Sequence, residues 1–161
     1  MRWILWVFLA GFAVACGDIT TADPRYSTPE RTIDTMLAAY GLEGVSPDEG
    51  RRLRRAGALR LRDPDAYHAC FTRFDGLGDE ALAGFVVGSV VENRDALRTT
   101  ITNDKARVMA SHGSAVILYK RNGAWRISLD ESVPVQFRTQ LRDVARRAAE
   151  RERELRAGST R

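Results

Sequence analysis

The chain is 161 residues long, with 25 Lys plus Arg, 21 Asp plus Glu, 2 His and 2 Cys; 44% of its residues are hydrophobic and 29% charged. This globular balance excludes disorder, and the length allows one domain with a real core but no two-domain enzyme. Two cysteines exclude a disulfide scaffold and any zinc site needing three or four thiolates, and a net charge of +4 is too mild to announce nucleic acid.

Arg2 places a positive charge ahead of Trp3 to Ala15, thirteen residues without a charge or strong polar group. A membrane-crossing helix needs about 20 such residues to span roughly 30 Å of hydrocarbon. The run is too short to remain as a span and fits the apolar region of a secretory signal, residues 1–15. Ala13-Val14-Ala15-Cys16-Gly17 then brings small residues up to a cysteine. This stretch resembles the lipobox of bacterial lipoproteins, with Ala13 where that family favours Leu. The resemblance implies cleavage before Cys16 and diacylation of its sulfur, hence a membrane partner held through lipid on Cys16. The alternative is a plain secretory signal cleaved after Ala15. With Cys16 acylated, Cys70 has no intrachain partner and is expected to be a buried thiol. With Cys16 free, a disulfide to Cys70 becomes possible in an oxidising compartment. Gly17 is not the Asp that resembles an inner-membrane retention signal, so the expected location is the outer membrane, facing the periplasm.

Residues 16–27 read as a lipidated tether, because residues 17–27 lack periodicity and carry turn formers; random-coil scaling gives them a reach of roughly 20 Å. A first helix is predicted from Ser27 or Thr28, with Pro29 near its first position, Ser27 and Glu30 at capping-box spacing, and an apolar stripe of Ile33, Met36, Leu37 and Tyr40 before Gly41. A second begins at Ser46-Pro47-Asp48-Glu49 and ends before Gly57, carrying Arg51, Arg52, Arg54 and Arg55 around Leu53. Asp63-Pro64 opens a third, with Tyr67, Cys70, Phe71 and Phe74 as its buried face. Asp79 to Val91 is a fourth helix or a fully buried segment, helix being favoured by the acidic start.

The period then changes to two. Leu97, Thr99 and Ile101 alternate with Arg98 and Thr100, Asn103-Asp104 turns, and Ala106, Val108 and Ala110 resume. A third strand covers residues 115–120, and Asn122-Gly123, the strongest short hairpin signal, leads into a fourth from Trp125 to Leu129. Pro134 ends this four-stranded antiparallel meander. Phe137, Leu141, Val144, Ala145 and Ala148 mark a long C-terminal helix over residues 135–157. The expected fold class is α+β: N-terminal helices packed on a curved four-stranded meander over residues 28–134, plus that helix.

The helix start Thr28-Pro29-Glu30 and the stretch Lys120-Arg121-Asn122-Gly123-Ala124-Trp125-Arg126-Ile127, in this order of elements, are similar to the nuclear transport factor 2-like superfamily over residues 28–130. The resemblance implies helices packed into the concave face of the sheet to form a cone. The superfamily hosts isomerases, dehydratases, assembly factors and binding modules, so fold alone settles no function. The helical matter between residues 46 and 91 and the terminal helix are additions that bear on any pocket.

Chemical candidates are few. His68 stands two residues from Cys70, so the two point to different sides of a helix. His112, in Ser111-His112-Gly113-Ser114, would need an orienting carboxylate such as Asp130 to serve as a base. Tyr40, Tyr67, Tyr119 and Asp75 are residue types used in cone pockets, but none matches a catalytic motif. Gly76-Leu77-Gly78 has Ala81 where a third dinucleotide-fold glycine would stand. Gly84 and Gly88 have small-xxx-small spacing in an apolar run too short for a membrane, which predicts close packing in a core. Asp63, Asp65, Asp75 and Asp79 lack calcium-loop spacing. Residues 134–161 hold eight Arg against four acids, 8 − 4 = +4, matching the whole formal excess; Asp143 with Arg147 and Glu152 with Arg156 sit at i, i+4. No catalytic, cofactor or metal residue is expected, and nucleic acid is improbable for an exported chain without aromatic interleaving. The expected function is a lipid-anchored envelope lipoprotein acting as a non-catalytic binding or structural module. The alternatives are a small cone-pocket enzyme or ligand binder, and an assembly factor that docks on an envelope protein partner through its basic C-terminal helix.

Overall fold

A computed structural model describes residues 23–75, 77–109 and 114–158; the signal, Cys16, His112 and Ala110 lie outside the described residues. The fold is α+β. Among the described residues, six α-helices accompany one antiparallel sheet, and three of the helices start alike: a Thr, Ser or Asp cap followed by Pro. Helix α1 (Pro29–Ala38) is capped by Thr28, whose side chain accepts the Arg31 N–H. The Ser27 hydroxyl instead donates to the Pro24 carbonyl at 2.9 Å, so the cap is the second of the two predicted positions. Gly41 ends the segment with φ +68°, the left-handed region that suits glycine. Helix α2 (Pro47–Arg55) is capped by Ser46 and α3 (Pro64–Ala69) by Asp63.

Helix α4 (Leu77–Asn93) resolves the ambiguity of the valine-rich run in favour of helix. Leu82, Ala83, Val86, Val87, Val90 and Val91 are all buried in it, so packing overrides the strand preference of valine. Gly50 of α2 lies against it: a Cβ there would stand 2.4 Å from Val91 Cγ1. The predicted close approach at the Gly84–Gly88 pair holds at one end only. Gly88 faces the Arg54 side chain, whereas nothing lies within 4 Å of a Cβ on Gly84.

The sheet comprises β1 (Arg98–Thr102), β2 (Lys105–Met109), β3 (Ala115–Arg121) and β4 (Ala124–Ile127), in that order and antiparallel throughout. Asn122 and Gly123 both have positive φ (50° and 79°), as the two-residue hairpin requires. The register puts Ile101, Ala106, Leu118 and Ile127 in one row and Thr99, Val108 and Val116 in the next. Both rows face the helices, where Ala106, Val108, Val116, Leu118 and Ile127 are buried with Met36, Leu37, Tyr67, Val86 and Val90. Ile101 falls in the buried row yet is 53% exposed, on the edge strand of the sheet. At the other edge, Phe71 pairs in parallel with Ile127. The Ile127 N–H donates to the Cys70 carbonyl at 2.7 Å, and the Thr72 N–H donates to the Ile127 carbonyl at 2.9 Å.

The fourth strand stops two residues before its predicted end. Residues Leu129–Ser132 form a short helix, α5. Where β4 no longer reaches, the Ser128 N–H donates to the Ile117 carbonyl and the Ile117 N–H donates to Ser132 Oγ, so the β3 backbone stays satisfied. Helix α6 (Val135–Gly158) follows. Phe85 stacks on Phe137 at 5.7 Å, and a Cβ on Gly78 would lie 3.3 Å from Arg142 Cγ, so α6 runs antiparallel to α4.

Candidate binding surfaces

The space between helices and sheet is occupied by side chains. Tyr67 stands at its centre, edge-on to Tyr40 (5.2 Å) and Phe71 (5.1 Å). Its buried hydroxyl makes no well-formed hydrogen bond, Tyr40 being the polar neighbour, and burial pushes its phenol far above the ordinary range. Cys70 is fully buried, and its thiol donates to the Ala66 carbonyl at 3.2 Å. Burial pushes that thiol up to about 12, which keeps it protonated and unreactive at neutral pH. The predicted burial of Cys70 is therefore what the fold holds. His68 is exposed and stacks on Phe74 at 4.4 Å, on the opposite side of its helix from Cys70, as the spacing required.

Among the described residues, Tyr119, Asp130, Asp75 and the Arg cluster of α2 are tied into separate surface contacts. The Tyr119 hydroxyl donates to Glu131 at 2.7 Å, and Lys105 donates to the other carboxylate oxygen at 2.7 Å. These two donors hold the Glu131 carboxyl below its ordinary value. Asp130 is engaged by Arg142 (3.2 Å) and Arg138 (3.6 Å). Asp75 pairs with Arg73, and its N–H donates to Asp79. The Arg cluster of α2 is largely neutralised: Arg51 pairs with Asp48, Arg52 with Glu49, and Arg54 with Glu92. Among the described residues, no group of three or more His, Cys, Asp or Glu could hold a metal ion, and no helix is long and apolar enough to cross a membrane.

Among the described residues, two clefts on the surface bear on binding. One, of about 510 Å³, lies between the 24–26 turn, α1 and the start of α3. Ala38, Ala39 and Ala66 line it alongside Arg31, Glu43 and Asp63. Its size suits a small ligand, but two of its charged groups serve structure: Arg31 donates to Ser27 Oγ and the Pro24 carbonyl, and Asp63 caps α3. The second, of about 430 Å³, is polar and is bridged by Arg142, which reaches Asp79 (3.4 Å) and Asp130. That bridge clamps α6 to the body.

The tether reading needs a correction at its C-terminal end. Residues Pro24–Tyr26 form a 3-10 turn, and Tyr26 is only 2% exposed. Its hydroxyl donates to the Ala66 carbonyl at 3.2 Å, and the Arg126 guanidinium lies 4.0 Å from the ring centre while donating to the Ala69 carbonyl. A large aromatic in a polar stretch just ahead of a helix cap was the available signal. The folded body thus includes Asp23, whose carboxyl is held low by hydrogen bonds from Arg25.

The C-terminal helix leaves apolar side chains exposed. Phe137 and Leu141 meet the body, but Val144 is 57% and Leu155 75% exposed. The predicted Asp143–Arg147 pair is not formed: Asp143 pairs with Arg146 (3.1 Å), and Arg147 donates to the Asp143 backbone carbonyl. Glu152–Arg156 is present as predicted. Comparison with known proteins finds no matching family model, no similar characterised protein and no similar solved structure.

Proposed function

We propose that the chain is a lipid-anchored protein of the bacterial envelope whose body acts as a non-catalytic binding or structural module. The observation that carries the reading is the stretch Ala13-Val14-Ala15-Cys16-Gly17 behind thirteen apolar residues. Acyl chains on Cys16 would hold the chain stably, where a single chain gives only marginal binding. Two features of the body are consistent with it. Asp23 to Tyr26 are packed down, so at most residues 17–22 separate the anchor from the fold, a span of at most about 20 Å when extended. The domain is thereby kept close to the headgroups, with the outer membrane, periplasmic face, as the proposed site. Among the described residues, Asp63, Asp75, Asp130, Tyr119 and Cys70 are also spent on caps, ion pairs, hydrogen bonds and core packing. Recognition then falls to surfaces, the α6 helix foremost.

Radiolabelled palmitate tests the anchor. The wild-type chain incorporates label and Cys16→Ala does not; an unlabelled wild-type chain would refute the reading.

A further inference from the structure

Helix α4 begins at Leu77, near Arg142 of the antiparallel α6, so α6 outlasts it. The segment from Arg146 to Gly158 extends about 20 Å past the point where α4 stops. At 100° per residue, Phe137, Leu141, Val144, Ala148, Arg151 and Leu155 fall on a single stripe, spaced four and three apart as in a coiled-coil seam. Its first two members cover α4; the rest face the side that α4 has vacated and are exposed.

We infer that a second copy of this chain covers that stripe, the two α6 extensions pairing antiparallel about a two-fold axis between residues 149 and 150. Each partner helix takes up the line that α4 leaves. The register sets Val144 against the partner's Leu155, and Ala148 against the partner's Arg151, each twice by symmetry. Ala148 admits close approach, and the aliphatic stem of Arg151 covers it while the guanidinium reaches water.

Charge selects both occupant and direction. In this register Arg147 flanks the seam opposite the partner's Glu154. Among the described residues neither side chain has an ion-pair partner of its own, Arg147 bonding only a backbone carbonyl. A parallel pair would instead set Arg147 against Glu152, which Arg156 already holds. An anionic membrane is a poorer cover, because Glu150, Glu152 and Glu154 punctuate the same segment.

The test is sedimentation equilibrium on the full exported chain carrying Cys16→Ala, from roughly 1 to 500 µM, in low salt. The expected result is a monomer–dimer equilibrium. Arg147→Glu or Glu154→Arg turns two attractions into repulsions and weakens the dimer about tenfold, and combining the two restores it. These positions are exposed on the extension, so the variants keep the fold, and circular dichroism checks that. A chain that stays monomeric throughout overturns the inference, and one that also cosediments with anionic vesicles assigns the stripe to a membrane. Rescue of Arg147→Glu by Glu152→Arg instead of Glu154→Arg overturns it by showing a parallel pair.

Discussion

Replacing Tyr26 measures whether the root of the tether is part of the folded body. The ring is nearly closed to solvent, its hydroxyl donates to the Ala66 carbonyl, and Arg126 stacks on its face. Tyr26→Phe removes one hydrogen bond of about 1 kcal/mol. The Ala66 carbonyl still accepts from the Cys70 thiol, so it is not left bare and the cost should not exceed that value. Tyr26→Ala removes the ring as well, with a loss of about 3–5 kcal/mol for a buried aromatic. A double-mutant cycle of Tyr26→Leu with Arg126→Met isolates the cation–ring term, expected at about 0.5–2 kcal/mol for a partly desolvated pair. Urea unfolding followed by circular dichroism gives all three values. If Tyr26→Ala cost less than about 1 kcal/mol, the body would start at Thr28 and the contact of Tyr26 with α3 and β4 would carry no weight.

Three other outcomes follow from the packing. Gly50→Ala gains about 1 kcal/mol of helix propensity but drives a methyl into the stiff Val91 side chain, for a net loss of about 1–2 kcal/mol in urea unfolding; adding Val91→Ala removes the clash and should recover part of the loss. The raised Cys70 thiol disfavours ionisation in the folded state only, so stability is full below pH 9 and falls as pH climbs toward 12, by up to about 4 kcal/mol. Cys70→Ala should flatten that alkaline slope in urea titrations, and an unchanged slope would assign it to the tyrosines. Deleting residues 146–161 should leave the unfolding free energy of the dilute chain within about 0.5 kcal/mol, since the extension adds no core contact; a larger loss would mean that it folds back on the body.

Much of the fold was legible because its punctuation is local. Thr28-Pro29, Ser46-Pro47 and Asp63-Pro64 each announce a helix with a side-chain acceptor and a preset φ, and Asn122-Gly123 announces the hairpin. What escaped depends on partners distant in sequence. Ile101 alternates as a buried residue should, but no pattern reveals that its strand lies at the sheet edge and leaves it 53% exposed. Leu129 fits a strand until β4 runs out and Ser132 takes over the backbone of Ile117, fifteen residues earlier. Tyr26 is held by Ala66 and Arg126, forty and one hundred residues away. The surfaces were legible only in part for the same reason. The charge of α6 can be counted from composition, yet where the helix leaves α4 follows from the antiparallel meeting of Phe85 with Phe137.

The sealing of β4 by residues 70–72 has a kinetic corollary. The outermost strand borrows its last hydrogen bonds from the segment that leaves α3, a helix of only six residues. Whenever that helix frays, the amides of Ile127 and Thr72 open to deuterium with it, however firmly the rest of the strand is held. Two backbone protons on opposite sides of one seam thus share a clock, set by the six-residue helix that feeds it.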